Sequence, residues 1–116
     1  MALRPKSSSV NFSDFSVSMC YMLTTLERIH RQKLCEQPAN LVITSANDSL
    51  HKIDSKHYKN QALDLRSKSF KNEEDKAKFM AVLKRELGPK FTVIYEYPGE
   101  VNEHFHIQVK RGEVYP

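Results

Sequence analysis

The chain has 116 residues, 40% hydrophobic and 28% charged, with a formal net charge of +4. That length holds one domain with a modest core, not a catalytic unit joined to a separate binding module, and the ordinary balance excludes disorder beyond the termini. The small basic surplus favours acidic surroundings, but its residues are scattered rather than clustered, so no nucleic-acid partner is expected.

Residues 1–12 read as a polar lead-in, with Ser7-Ser8-Ser9 offering no packing, ahead of a single domain over 13–116. The lead-in has no apolar run of signal-peptide length, and no later stretch approaches membrane-spanning length. The chain is therefore expected to stay cytoplasmic by its own signals, without membrane insertion, and to work as a monomer. Ser13 or Asp14 caps a predicted helix running to about Leu34. Its apolar positions Phe15, Met19, Met22, Leu26 and Ile29 recur at four-and-three spacing, the stripe of a helix laid on a core. Cys20 and Cys35 fall in or next to this helix, too far apart along it at ~1.5 Å per residue for a disulfide, and two lone thiols fit a reducing compartment.

Gln37-Pro38-Ala39-Asn40 breaks the pattern. Leu41-Val42-Ile43-Thr44 reads as a buried strand, followed by a polar loop from Ser45 to Lys56. Ala62-Leu63-Asp64-Leu65-Arg66 alternates, sending Ala62, Asp64 and Arg66 to one face and the two leucines to the other. Asn72 with Glu73, Glu74 and Asp75 opens a second helix, acids at its positive end, whose buried side is Phe79, Met80, Val82, Leu83 and Leu87. Gly88-Pro89 stops it. Phe91 to Tyr97 is a strand, Pro98 to Asn102 a turn, and Glu103 to Val109 the returning strand. The expected fold class is α+β: a long N-terminal helix and a second helix packed on a largely antiparallel sheet.

On the returning strand His104 and His106 share a face by period two, while Glu103, Phe105 and Ile107 take the other. A five-residue turn sets Glu96 opposite His104 and Ile94 opposite His106, which brings Glu96 to the histidine face. One residue of slip would turn it away. A His-x-His pair by itself is usually a polar surface feature. With His57 and Asp64 added, the chain carries the ligand types of an open zinc site, which takes three protein ligands and leaves a fourth position for water.

The spacing Ser55-x-His57-x-x-Asn60-x-Ala62-x-Asp64 resembles the Ser-x-His-x-x-Gly-x-Ala-x-Asp motif of the zinc D-alanyl-D-alanine-type peptidases. That group includes D,D-carboxypeptidases, vancomycin-resistance dipeptidases and phage L-alanyl-D-glutamate endolysins, and hedgehog signalling domains share its fold. The stretch from Ile43-Thr44-Ser45-Ala46 to His57-Tyr58 is similar to the approach to that motif. Tyr95-Glu96 followed by His104-Phe105-His106-Ile107 is similar to the family's closing hairpin, so the resemblance spans roughly residues 41–110. It implies a hedgehog/D,D-peptidase-like fold with Zn2+ held by His57, Asp64 and His106. His104 is then a neighbour contacting substrate or transition state, and the general base is Glu96 or Glu103, with the pleat favouring Glu96 and a bulge needed for Glu103.

The chain departs from the family in carrying Asn60 for the glycine and in lacking an arginine near Thr44-Ser45, for which Arg66 or Lys56 would substitute. Ser55 and Arg66 are the implied substrate contacts. His51 is either a support behind the ligands or a solvated loop histidine. The function implied is hydrolysis of a peptide bond in peptidoglycan stem peptides, of the D,D-carboxypeptidase or endolysin type; a phage enzyme would reach the cell wall through a holin. Two other readings stand beside it. One is a non-catalytic zinc-stabilised binding module of the same fold. The other takes His104-Phe105-His106 as the His-hydrophobic-His motif of a rolling-circle nuclease, but only Tyr115 follows it as a nucleophile, with no helix to carry it.

Overall fold

Alternation in the strands and a four-and-three stripe in the helices direct one set of apolar side chains into a shared core. The computed structural model describes residues 3–7, 17–46 and 62–110. Its elements are β1 (Leu3–Pro5), α1 (Val17–Arg31), β2 (Leu41–Ser45), β3 (Ala62–Arg66), α2 (Glu73–Leu87), β4 (Phe91–Glu96) and β5 (His104–Val109). The strands form a five-stranded sheet in the order β1-β2-β3-β5-β4. β1 runs parallel to β2 and the remaining pairs are antiparallel, so the sheet is mixed. The result is a small α+β domain with two helices packed on one sheet.

The expected elements and the observed ones differ in places. β1 forms within the stretch read as a polar lead-in: Leu3 buries its side chain beside Leu41, and Lys6 N–H donates to Ile43 O at 2.7 Å. Leu3-Arg4-Pro5 is too short to show an alternation, so the sequence carries no strand signal there. β2 alternates between buried and half-buried positions rather than being buried throughout. The cap proposed at Ser13 or Asp14, and the loop beyond Ala46, lie outside the described residues.

On α1, Met19, Met22, Leu26 and Ile29 are fully buried, and Arg28, His30 and Arg31 stand at its negative end. Cys20 and Cys35 are both free thiols. On α2, the Asn72 side chain accepts from Asp75 N–H at 2.8 Å, and Gly88 (φ 89°) closes the helix with its N–H on Lys84 O at 3.1 Å. An Arg28–Glu86 ion pair joins the two helices. Their buried sides meet Leu63, Leu65, Val93, Phe105, Ile107 and Val109 from the sheet. Phe105 lies 5.5 Å from Phe70 and 5.4 Å from Phe79, ring centre to ring centre.

The β4–β5 turn is tied into this core by a carboxylate. Glu103 precedes β5 and shares the core face with Phe105. Its side chain accepts from Gly99 N–H at 2.9 Å, from Lys76 Nζ at 2.9 Å and from the Ser67 hydroxyl. Lys76, itself buried on α2, also reaches Glu73 at 3.0 Å and the Tyr95 hydroxyl at 3.3 Å. Burial alone would raise the Glu103 carboxyl above its ordinary 4.5; the Ser67, Gly99 and Lys76 donors outweigh it and hold the group at about 2.

Removing one partner of a buried ion pair leaves an uncompensated charge, so Lys76→Met should cost about 3–5 kcal/mol in urea unfolding. Replacing Glu103 by Leu in the same chain should recover most of that loss. Because the folded carboxyl is depressed, its contribution is present above pH 4.5 and is lost as pH falls toward about 2. Acid unfolding of Glu103→Gln should show a shallower pH dependence across that window.

Candidate metal centre

With the odd-numbered residues of β5 committed to the core, the even-numbered ones face the other side of the sheet. There β3 and β4 flank β5 and supply carboxylates. Asp64 stands opposite His106, and Glu96 stands opposite His104, the pairing expected of a five-residue turn. Lys110 N–H donates to Lys90 O, so the ladder bonds of β5 toward β4 are made by its even-numbered residues. Asp64 and His106 are therefore a non-hydrogen-bonded pair across β3 and β5, the type in which opposed side chains approach most closely.

The contacts follow from that register. Asp64 Oδ1 lies 2.6 Å from His106 Nδ1, and Glu96 Oε1 lies 3.0 Å from His104 Nε2. The diagonals close the cluster, at 3.7 Å between His104 Nε2 and Asp64 Oδ1 and 4.0 Å between His106 Nδ1 and Glu96 Oε1. His104 Nδ1–H donates to Asn102 O at 2.6 Å, which directs Nε2 into the cluster. His106 Nε2 meets Gln108 Oε1 at 2.6 Å. Asp64, His104 and His106 each offer one ligand atom, all within 4.8 Å of one another, and all three residues are half-buried.

With neutral imidazoles this group of four carries two negative charges in a partly dehydrated setting. A divalent cation offsets them, and an N/O donor set suits zinc among several first-row metals without selecting it. Burial alone would lower the His106 imidazole, but its hydrogen bonds to Asp64 and then Gln108 outweigh burial and raise it above its ordinary 6.5.

The residues singled out by sequence divide three ways. Asp64, Glu96, His104 and His106 come together. Arg66 is exposed on the same face, directly opposite His104 in the ladder. Glu103 is absent from the cluster, because the pleat sends it to the core face, where Lys76 and Ser67 hold it. His57, Ser55 and His51 lie outside the described residues. Two contributors went unnoticed in the sequence: Gln108, which period two places on the histidine face, and the Asn102 carbonyl, which no pattern marks. His104 also converges as a third ligand-competent group, where the resemblance gave it only a contact role.

Comparison with protein-family models, with curated proteins and with solved structures returns no match. No helix among the described residues is long and apolar enough to cross a membrane.

Titration calorimetry with Zn2+ or Co2+ should show one site per chain, weakened at least tenfold by Asp64→Ala or His106→Ala, on the order of the loss expected when a group in a metal's immediate surroundings is removed. Binding needs neutral His106, so affinity should fall as pH drops, the decline beginning above pH 6.5 because that imidazole is raised.

Proposed function

We propose that the protein is a zinc peptidase that hydrolyses a peptide bond in peptidoglycan stem peptides, with the hedgehog/D,D-peptidase-like arrangement that its motifs resemble. The observation that carries this reading is the meeting of Asp64 and His106 with Glu96 and His104 on one half-buried sheet face. Asp64 and His106 are the ligands within that face, and His57 is the third. When bound, zinc supplies Lewis acidity and a water of lowered pKa.

The protein's own groups do the rest. Glu96 is the general base: its side chain is about a third exposed, open to a water, and its Oε1 lies 3.0 Å from His104 Nε2. It takes the water proton and delivers it to the leaving amine. His104 keeps Nδ1–H on Asn102 O, so it donates from Nε2 toward the oxyanion that develops on the scissile carbonyl when the ring carries a second proton there. Arg66, opposite His104, is the cation placed to receive a substrate carboxylate, with Ser55 as a further contact.

A second reading is a non-catalytic metal module. It is favoured by the convergence of three ligand-competent side chains, Asp64, His104 and His106, among the described residues.

Mass spectrometry of purified muropeptides incubated with zinc-loaded protein should show new fragments that His106→Ala does not produce. Glu96→Gln should keep the metal and lose about 10²- to 10⁴-fold in rate. Intact muropeptides alongside metal-dependent stabilisation would favour the module.

A further inference from the structure

Among the described residues β4 is an edge strand that lacks most of the usual protections. Soluble proteins blunt such edges with lysine, proline, bulges or a covering element. Phe91-Thr92-Val93-Ile94-Tyr95-Glu96 has no lysine or proline, its pairing with β5 is free of bulges, and among the described residues its outer side has no ladder partner. The direction of its backbone groups follows from the Lys110–Lys90 bond: Thr92, Ile94 and Glu96 bond inward to β5, so the N–H and C=O of Val93 and Tyr95 point outward. Ile94 is 42% exposed, at the middle of the strand and on the histidine face.

The edge is also complementary to itself. A cation, Lys90, stands just before the strand and an anion, Glu96, ends it, both on the even-numbered face. An antiparallel copy brings each cation toward the other copy's anion, twice over by symmetry. We propose that the protein pairs with a second copy of itself through β4, antiparallel, into one continuous sheet whose two histidine faces lie on the same side. The register places Ile94 opposite the partner's Ile94, an apolar contact at the two-fold axis. Val93 then stands opposite the partner's Tyr95, and the outward backbone groups of both residues are satisfied in both copies. Glu96 faces the partner's Thr92 hydroxyl directly and the partner's Lys90 diagonally, within reach of a long side chain. Each copy thereby supplies a donor and a cation to the other's Glu96. The interface stands whether or not the face binds metal or cuts peptides, and it differs from the monomer expected from the sequence.

Sedimentation equilibrium of the full chain over a wide concentration range tests this. The wild type should shift from one to two chain masses as concentration rises. Ile94→Lys, which opposes two cations at the axis while keeping the inward ladder bonds, should remain monomeric, with a melting temperature equal to that of the wild type at concentrations where the wild type is itself monomeric. For the register, Ile94→Cys in a chain with Cys20→Ser and Cys35→Ser should oxidise to a covalent dimer, and Thr92→Cys in the same background should not. A wild type that stays monomeric throughout, or a dimer that Ile94→Lys leaves intact, overturns the proposal. A Thr92→Cys dimer with no Ile94→Cys dimer overturns the register. If Ile94→Lys fails to fold, the paired cysteine variants decide, since absence of both cross-links rejects pairing at this edge.

Discussion

Phe105 is the side chain around which the rest of the molecule is arranged. It is fully buried, with Phe70, Phe79 and Tyr95 about its ring. Truncating a buried Phe typically costs about 3–5 kcal/mol, so the strand has strong reason to keep this residue inward. Successive residues on a strand point to opposite faces, so sinking Phe105, Ile107 and Val109 drives His104, His106 and Gln108 out the other way. A slip of one residue would bury two imidazoles and expose three apolar side chains. The chemical face of the sheet is thus dictated by apolar packing on the face that carries none of the chemistry.

The Lys76–Glu103 pair acts on the same hairpin from its turn. A buried ion pair contributes little net stability compared with a well-packed apolar substitute. Here the carboxylate joins α2, the residue after β3 and the turn, through Lys76, Ser67 and Gly99. Tyr97 sits in the left-handed region at φ 53°, which costs a side-chain-bearing residue about 1–2 kcal/mol. That conformation is retained because Glu100 N–H closes the turn on Tyr97 O at 3.0 Å and Glu103 ties down Gly99. One carboxylate, a candidate base by sequence, is spent as the anchor that lets another, Glu96, end its strand facing His104.

The two sides of the sheet consequently have separate duties. Helices and aromatic rings on one side supply cohesion. The other side gathers carboxylates and imidazoles from three adjacent antiparallel strands, so that each carboxylate lies against an imidazole. Glu96 belongs to both the cluster and the exposed edge, which couples any partner along β4 to the electrostatics of the face. Charge at that strand end therefore serves the cluster and edge pairing together.

Local chemistry was legible in the sequence wherever a residue's neighbours along the chain decide its conformation. The limits of α2 follow from the Asn72 cap and Gly88, and the shared face of His104 and His106 follows from period two. The meeting of Glu96 with His104 follows from the length of one turn. What stayed hidden depends on partners far away in sequence. Leu3 becomes a strand residue only because Leu41 is beside it, and Asp64 meets His106 only because β3 and β5 pair across 42 residues. Period two already turns Glu103 away from the histidine face, but that Lys76 meets it there was hidden, because Lys76 sits on a helix that no strand pattern could place against it. Periodicity and capping determine which way a side chain points; what it meets there was decided only by closure of the sheet and docking of the helices, because those contacts join segments that share no local signal.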